Sequence, residues 1–187
     1  MEPIDYSVRH DILSRERTFR LDGGVLSVHE GSDMVVSLPL ERVTAVRLKY
    51  YASQHRPEYY TATVFHRGGS VLIISSSYTR LGEFEDRGEQ YAAFIRALHD
   101  GLLPYAQTIR FLGGISMQLY LLYIGIMLLS IVFLGWILFF FPAEYVTDLV
   151  WVKVAILLML LWMSVRFMRK NKPIRYLPAD IPSSLLP

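Results

Sequence analysis

The stretch FFFPAEYVTDLVWVKV, residues 139–154, lies between two long apolar runs and contains two acidic residues but no arginine. Residues 111–141 carry no charge, and residues 149–168 carry only Lys153 and Arg166. A helix needs about 20 apolar residues to cross the hydrocarbon core of a bilayer. Both runs reach that length, whereas the alternative, a pair of helices in a soluble core, normally keeps a polar stripe. The sequence therefore predicts a two-span transmembrane hairpin over residues 117–168, with residues 142–148 as its turn.

The distribution of lysine and arginine gives the orientation of this hairpin. The turn contains neither residue, whereas Arg110 precedes the first run. The basic residues that close or follow the second run are Arg166, Arg169, Lys170, Lys172 and Arg175. Basic flanks stay on the cytoplasmic side, so we expect both termini inside, and MEPIDYSVRHD at the N-terminus has no apolar signal-peptide region. Arginine far outnumbers lysine, which is typical of a GC-rich genome.

Several residues are expected at the membrane–water interface. The first run is longer than one span requires, so we place the first span near residues 117–139 and expect a bend at Gly113 and Gly114. The candidate interface residues are Arg110, Trp136, Trp151, Lys153, Arg169, Lys170 and Lys172. Tryptophan rings favour this layer, and Lys153 lies near enough to the end of its run to extend its amine outward. A buried functional lysine is the alternative interpretation of Lys153.

The N-terminal part of the chain has the pattern of short β-strands. The predicted strands are RTFRL (17–21), VLSVHE (25–30), MVVSLPL (34–40), VTAVRLKYY (43–51), YTATVFHR (60–67) and SVLIISSS (70–77). The glycine pairs at 23–24 and 68–69 suit tight turns between them. In residues 43–51, alternation places Val43, Ala45 and Arg47 on one face and Thr44 and Val46 on the other. The pattern predicts an antiparallel sheet or small barrel.

One amphipathic helix is expected to close this domain. In GEFEDRGEQYAAFIRALHDGLLP, residues 82–104, apolar side chains recur at helical spacing. The predicted buried face consists of Phe84, Tyr91, Ile95, Leu98 and Leu102. The acidic residues Glu83, Glu85, Asp86 and Glu89 would lie in the first turns, where the helix dipole favours negative charge.

Strands followed by a single helix resemble the pleckstrin-homology-like (PH-like) fold. The similarity to bacterial PH-like domains with membrane segments lies in RTFRLDGGVLSV, VVSLPLERVTAVRL and VFHRGGSVLIISSS…QYAAFIRAL, and it covers roughly residues 10–103. The resemblance implies an α+β fold, a barrel or sandwich capped by one helix, that serves as a binding platform. The expected organisation is a cytoplasmic PH-like domain (1–104), a juxtamembrane connector (105–116), the hairpin (117–168) and a basic, proline-rich cytoplasmic tail (169–187).

The segment KYYASQHRPEYY, residues 49–60, is the candidate partner-binding site. Its candidate residues are Tyr50, Tyr51, His55, Arg56, Tyr59 and Tyr60. Tyrosine and arginine are frequent anchors of protein interfaces, although tyrosines at strand ends also serve ordinary packing. Adjacent tyrosines on a strand cannot point to the same face, so one of each neighbouring pair is expected to be outward.

The remaining motifs exclude several functions. The histidines are scattered without metal-ligand spacing, and no nucleophile elbow or phosphate-binding glycine loop is present. We expect no catalytic residue, no enzyme activity, no metal and no cofactor. Residues 1–104 contain more acidic than basic side chains, which argues against nucleic-acid binding.

The tail NKPIRYLPADIPSSLLP cannot form a continuous helix because of its prolines, but it is apolar. We expect it to dock on this domain or on a partner, with disorder as the alternative.

These features predict a non-catalytic, membrane-tethered interaction module. The expected role is an accessory, scaffolding or assembly subunit of an inner-membrane protein complex, in contact with other membrane-complex subunits. The alternative is a module that binds the headgroups of membrane lipids, including anionic lipids.

Overall fold

The computed structural model describes residues 3–51, 59–80, 82–140, 147–170 and 172–187. The chain divides into two compact units. Unit 1 comprises residues 1–114 together with 174–187, and unit 2 comprises residues 115–173. The fold belongs to the α+β class, with mostly antiparallel sheets and few helices among the described residues.

Sheet A is a four-stranded antiparallel meander in unit 1. Its strands are β1 (Ile4–Val8), β2 (Arg17–Asp22), β3 (Val25–Glu30) and β4 (Asp33–Pro39), in that spatial order. Gly23 and Gly24 both have positive φ, 54° and 80°, which allows the two-residue turn between β2 and β3. β1 was not predicted from the sequence.

Sheet B contains five strands that come from distant parts of the chain. They are β5 (Val43–Tyr51), β6 (Tyr59–His66), β7 (Gly69–Ile74), β10 (Arg110–Gly113) and β11 (Ile174–Arg175). The spatial order is β11-β10-β5-β6-β7, and β10 runs parallel to β5 whereas the other neighbours are antiparallel. A separate hairpin consists of β8 (Ser76–Arg80) and β9 (Glu83–Asp86). The strand predicted over residues 70–77 is therefore β7 followed by the start of β8.

The helix α1 (Gly88–Leu102) packs on the inner faces of the strands. Tyr91, Ile95, Leu98 and Leu102 are fully buried, as their helical spacing predicts. The ring of Phe94 lies 5.8 Å from that of Tyr6 on β1 and 6.4 Å from that of Phe19 on β2. These aromatic contacts connect the helix to sheet A.

The predicted start of this helix was wrong. Residues 83–86 form β9, and the ring of Phe84 packs edge-on against Tyr78 of β8 at 5.7 Å. Of the four acidic residues assigned to the first helical turns, Glu89 is the one that lies there. Cross-strand pairing with β8 therefore outweighs the apolar spacing that placed Phe84 on the helix face.

A bulge in β5 changes the predicted faces at its start. The register with β6 shifts between Val43 and Ala45. Val43 is consequently buried, whereas Thr44 is exposed. The hydroxyl group of Thr44 donates a hydrogen bond to the Phe65 carbonyl oxygen at 3.1 Å. From Val46 onward, the predicted alternation holds, because Val46 and Leu48 are inward.

Residues 174–187 of the C-terminal tail pack into unit 1. Docking on this domain was one of the two alternatives predicted, and docking on a partner was the other. Ile174 of β11 is paired with Gly113 of β10, and Leu185 is only 1% exposed within the core. The compact unit therefore extends beyond the expected boundary at residue 104. Residues 105–116, expected to be a connector, contain β10, and Gly114, which follows this strand directly, has a positive φ of 72°.

Unit 2 contains the helices α2 (Met117–Phe140) and α3 (Thr147–Lys170), which agree with the helical segments predicted in the two apolar runs. Within α2, Met117–Trp136 is long and apolar enough to cross a membrane, with a mean hydropathy of 2.2. Most leucine, isoleucine and phenylalanine side chains along this stretch are exposed, and none of its most apolar window is buried within the described structure.

The close approach at Gly113 predicts a destabilising substitution. A β-carbon there would lie 2.5 Å from Leu185 Cδ1 and 2.7 Å from Ile174 Cγ1, so both tail side chains would have to move. Gly113→Ala should lower the free energy of unfolding by about 1–3 kcal/mol, the usual cost of overpacking. The measurement is thermal unfolding of the full chain in detergent. Gly135→Ala is the matched control, because no atom of the described residues lies within 4 Å of its new methyl group. Equal melting temperatures for the two variants would contradict the packing.

Candidate functional site

Four tyrosines form two cross-strand pairs at one end of sheet B. Tyr50 lies opposite Tyr60, and Tyr51 lies opposite Tyr59. The first pair meets edge to face with ring centroids 5.4 Å apart, and the second is stacked at 5.3 Å with 10° between the planes. Aromatic pairs of this kind stabilise neighbouring strands by about 0.5–1.5 kcal/mol.

The two pairs occupy opposite faces of the sheet. Tyr50 is 1% exposed and points inward, and Tyr60 packs against the hydrophobic core. Tyr51 is 36% exposed, and its partner Tyr59 is half-buried. One tyrosine of each neighbouring pair therefore points outward, as strand alternation predicts, and the structure identifies these residues as Tyr51 and Tyr59. His55 and Arg56, the other two candidate partner-binding residues, lie outside the described residues.

Basic side chains continue the outward face of β5 next to Tyr51. The guanidinium of Arg47 lies over the Phe65 ring, 6.0 Å from its centroid. Lys49, between Arg47 and Tyr51, is half-buried. Burial, and to a lesser degree the charge of Arg47, lowers the pKa of the Lys49 amine. This arrangement offers flat aromatic area beside positive charge, a combination suited to recognition rather than to covalent chemistry.

The candidate membrane-interface residues fall in both units. Arg110 is exposed on β10 of unit 1, so it belongs to a sheet rather than to a connector. Trp136 on α2 and Trp151 on α3 are exposed, as are Arg169 and Lys172. Lys153 and Lys170 lie on α3.

A buried polar contact joins α1 to the tail, and the sequence did not predict it. The carbonyl of Ile95 lies 2.7 Å from Nδ1 of His99, which therefore carries a proton, and the Tyr176 hydroxyl donates to Nε2 at 2.9 Å. Burial lowers the pKa of His99 and so favours this neutral form. The rings of His99, Tyr176 and Phe111 form one cluster with centroids 5.5–5.9 Å apart. The feature of the sequence that could have indicated a contact between α1 and the tail is the apolar composition of this proline-rich segment.

The serines near the end of β7 have structural roles. Ser75 Oγ accepts a hydrogen bond from the Tyr60 amide at 2.8 Å, and Ser77 Oγ accepts one from the Arg9 amide at 3.0 Å. In the part of the chain that the structure describes, no three histidine or acidic side chains are grouped closely enough to hold a metal ion.

Comparison with protein-family models, with curated proteins and with solved structures finds no match to this chain.

The two faces predict different outcomes for two neighbouring substitutions. Tyr50→Ala removes a fully buried ring and should lower the free energy of unfolding by about 3–5 kcal/mol. Tyr51→Ala removes an exposed ring that is stacked on Tyr59, and it should cost about 0.5–1.5 kcal/mol. Denaturant unfolding of the full chain in detergent measures both values. A larger loss for Tyr51→Ala than for Tyr50→Ala would reverse the assignment of faces.

Proposed function

We propose that the protein is a non-catalytic, membrane-tethered interaction module that serves as an accessory, scaffolding or assembly subunit of a bacterial inner-membrane protein complex. In this proposal, α2 and α3 cross the membrane as a hairpin, and unit 1 is a cytoplasmic binding domain. The outward tyrosines of sheet B contact the partner.

The observation that carries the proposal is the pairing of Gly113 with Ile174. The chain leaves unit 1 after β10 and returns to it at β11, which is the adjacent strand of the same sheet. Both ends of the intervening segment therefore lie on the same side of any membrane. If α2 crosses the bilayer, the chain must cross back before Ile174, and α3 is the helix available among the described residues for that return. Given a crossing by α2, the strand pairing supports α3 as the second span without reference to the hydropathy of α3.

The charge pattern supports the cytoplasmic placement of unit 1. The turn, residues 142–148, contains no lysine or arginine, whereas basic residues flank the other ends of α2 and α3. Under the positive-inside rule these flanks stay in the cytoplasm. The apolar, exposed surface of Met117–Trp136 favours a lipid environment, because a large apolar surface in water is unfavourable.

The order of elements in unit 1 supports a PH-like binding domain. A four-stranded meander is followed by β5, β6 and β7 and then, after the β8–β9 hairpin, by α1, which covers the inner faces of the strands. A PH-like domain acts as a binding platform, which agrees with the aromatic and basic surface at Tyr51. β10 and β11 would be additions to that fold.

The topology can be tested because the chain contains no cysteine. A cysteine introduced as Glu144→Cys should react with a membrane-impermeant thiol reagent in intact cells, since the turn is expected outside. Ser183→Cys, exposed in the tail of unit 1, should react only after the cells are permeabilised. The readout is mass-tagging of the thiol on a gel. Reaction of Ser183→Cys in intact cells would overturn the proposed orientation.

Partner binding through the tyrosine surface is tested by affinity isolation of the native complex from mild detergent. Tyr51→Ala, Tyr59→Ala and Arg56→Ala should each reduce recovery of the partner, because truncating a central interface residue costs a complex about 2 kcal/mol or more. Tyr105→Ala is the matched control, because Tyr105 has a similar exposure elsewhere in unit 1. Thermal unfolding of every variant separates lost contact from lost fold. Retention of the partner by all three variants would contradict the assigned surface.

A further inference from the structure

The outer face of sheet B carries a set of basic side chains drawn from three strands. Leu112 of β10 is paired with Arg47 of β5 on one side and with Arg175 of β11 on the other, so these residues share a face. Lys49 lies two residues after Arg47, and Arg110 lies two residues before Leu112, which places both on that same face. We call Arg47, Lys49, Arg110 and Arg175 the basic face.

No acidic residue balances this charge within the sheet. The five strands of sheet B contain neither aspartate nor glutamate. In the described parts of the chain, no residue of the basic face forms a salt bridge. Arg110 and Arg175 are exposed, and Arg47 and Lys49 are half-buried.

The outward arginines of β2 in sheet A, in contrast, form salt bridges with neighbouring strands. Arg17 on β2 binds Glu30 on β3 at 2.6 Å, and Arg20 on β2 binds Asp5 on β1 at 2.6 Å. Each pair lies directly across neighbouring strands. The cross-strand partner that neutralises each arginine in sheet A is thus missing from sheet B, where Arg47 and Arg175 both lie opposite the apolar Leu112 and Arg110 lies opposite Ala45. Such a face favours an anionic ligand that sheet A would not attract.

The strands that carry Arg110 and Arg175 are also the strands that connect to the apolar helices. Gly114, Ile115 and Ser116 join β10 to α2, and residues 171–173 join α3 to β11. A fully extended chain spans at most about 3.6 Å per residue. If α2 and α3 cross a membrane, these short connections hold the basic face within a few nanometres of the headgroup layer.

We propose that the basic face binds the headgroups of anionic lipids in the cytoplasmic leaflet. The inference rests on the proposed membrane insertion and adds a ligand to it. Lipid is favoured over an acidic protein segment because the covalent connections keep a membrane surface within reach at all times. An arginine or lysine near an anionic surface contributes roughly a fivefold increase in binding, and the contribution decays within a Debye length.

The test uses the full chain in lipid nanodiscs. Leu72→Cys supplies the one thiol, because Leu72 is 42% exposed and lies in the same cross-strand row as Thr63 and Arg47. A dye on this thiol transfers energy to acceptor-labelled headgroups at fixed acceptor density. Transfer should be higher in discs that contain phosphatidylglycerol than in discs of phosphatidylcholine, and it should fall towards the phosphatidylcholine value as salt is raised.

Two double variants separate a local surface from bulk charge. Arg110→Gln with Arg175→Gln should lower the ratio of docked to undocked domain roughly 25-fold, at fivefold per residue. Arg15→Gln with Arg96→Gln is the matched control, because it removes the same charge from exposed arginines that form no salt bridge with described residues. This control should retain the transfer, and thermal unfolding verifies the fold of both double variants.

Other outcomes would overturn the proposal. Transfer that does not depend on lipid charge, or an equal loss in both double variants, contradicts a lipid site on the basic face. Transfer independent of lipid charge, together with loss of a protein partner from the Arg110/Arg175 variant alone, would assign the face to an acidic protein. Failure of the unmodified chain to enter nanodiscs would instead overturn the membrane insertion on which the proposal rests.

Discussion

The return of residues 174–187 to the edge of β10 is the constraint on which the architecture of unit 1 depends. β10 has β5 on one side, and β11 covers its other edge. Gly113 has no side chain, which lets Leu185 and Ile174 approach its backbone closely. Burial of an aliphatic side chain such as Leu185 or Leu186 stabilises a fold by about 1.5–3 kcal/mol. The last residues of the chain therefore belong to the same core as the first strands.

This closure also explains why a histidine can lie in the core. His99 is 1% exposed on α1, and an imidazole without partners there would be costly. The Ile95 carbonyl satisfies one ring nitrogen, and the other accepts from Tyr176, a residue of the tail. Docking of the tail thus supplies a hydrogen bond as well as apolar area. Without Tyr176, Nε2 would lose this partner in a largely apolar environment, at a cost of about 1–3 kcal/mol.

Local patterns predicted the elements of this fold better than its long-range pairings. Alternation identified β5 within residues 43–51 and showed that Tyr50 and Tyr51 point to opposite faces, although not which of them is inward. Helical spacing identified the buried face of Tyr91, Ile95 and Leu98. The same spacing wrongly placed Phe84 on the helix, because the periodicity of a sequence carries no information about strand pairing such as that between β9 and β8. β10 and β11 are short strands separated by some sixty residues, so their pairing has no local signal. Apolar residues in the tail indicated that it docks, but they could not indicate that it pairs with the edge of β10.

The two surfaces proposed for sheet B adjoin along β5. A strand rises about 3.3 Å per residue, so Tyr51 lies about 13 Å along β5 from Arg47. The pairing of β10 with β5 extends over Ala45–Leu48 and stops short of the tyrosines. β10 runs parallel to β5 and reaches Gly113 opposite Leu48, so the chain leaves sheet B for α2 at the end of β5 that carries the tyrosines. Arg110 and Arg175 belong to the basic face alone and Tyr51 belongs to the aromatic surface alone, whereas Lys49 lies between them on β5. That division follows from the register of a single sheet, in which β5 carries both surfaces and β10 and β11 extend only one of them.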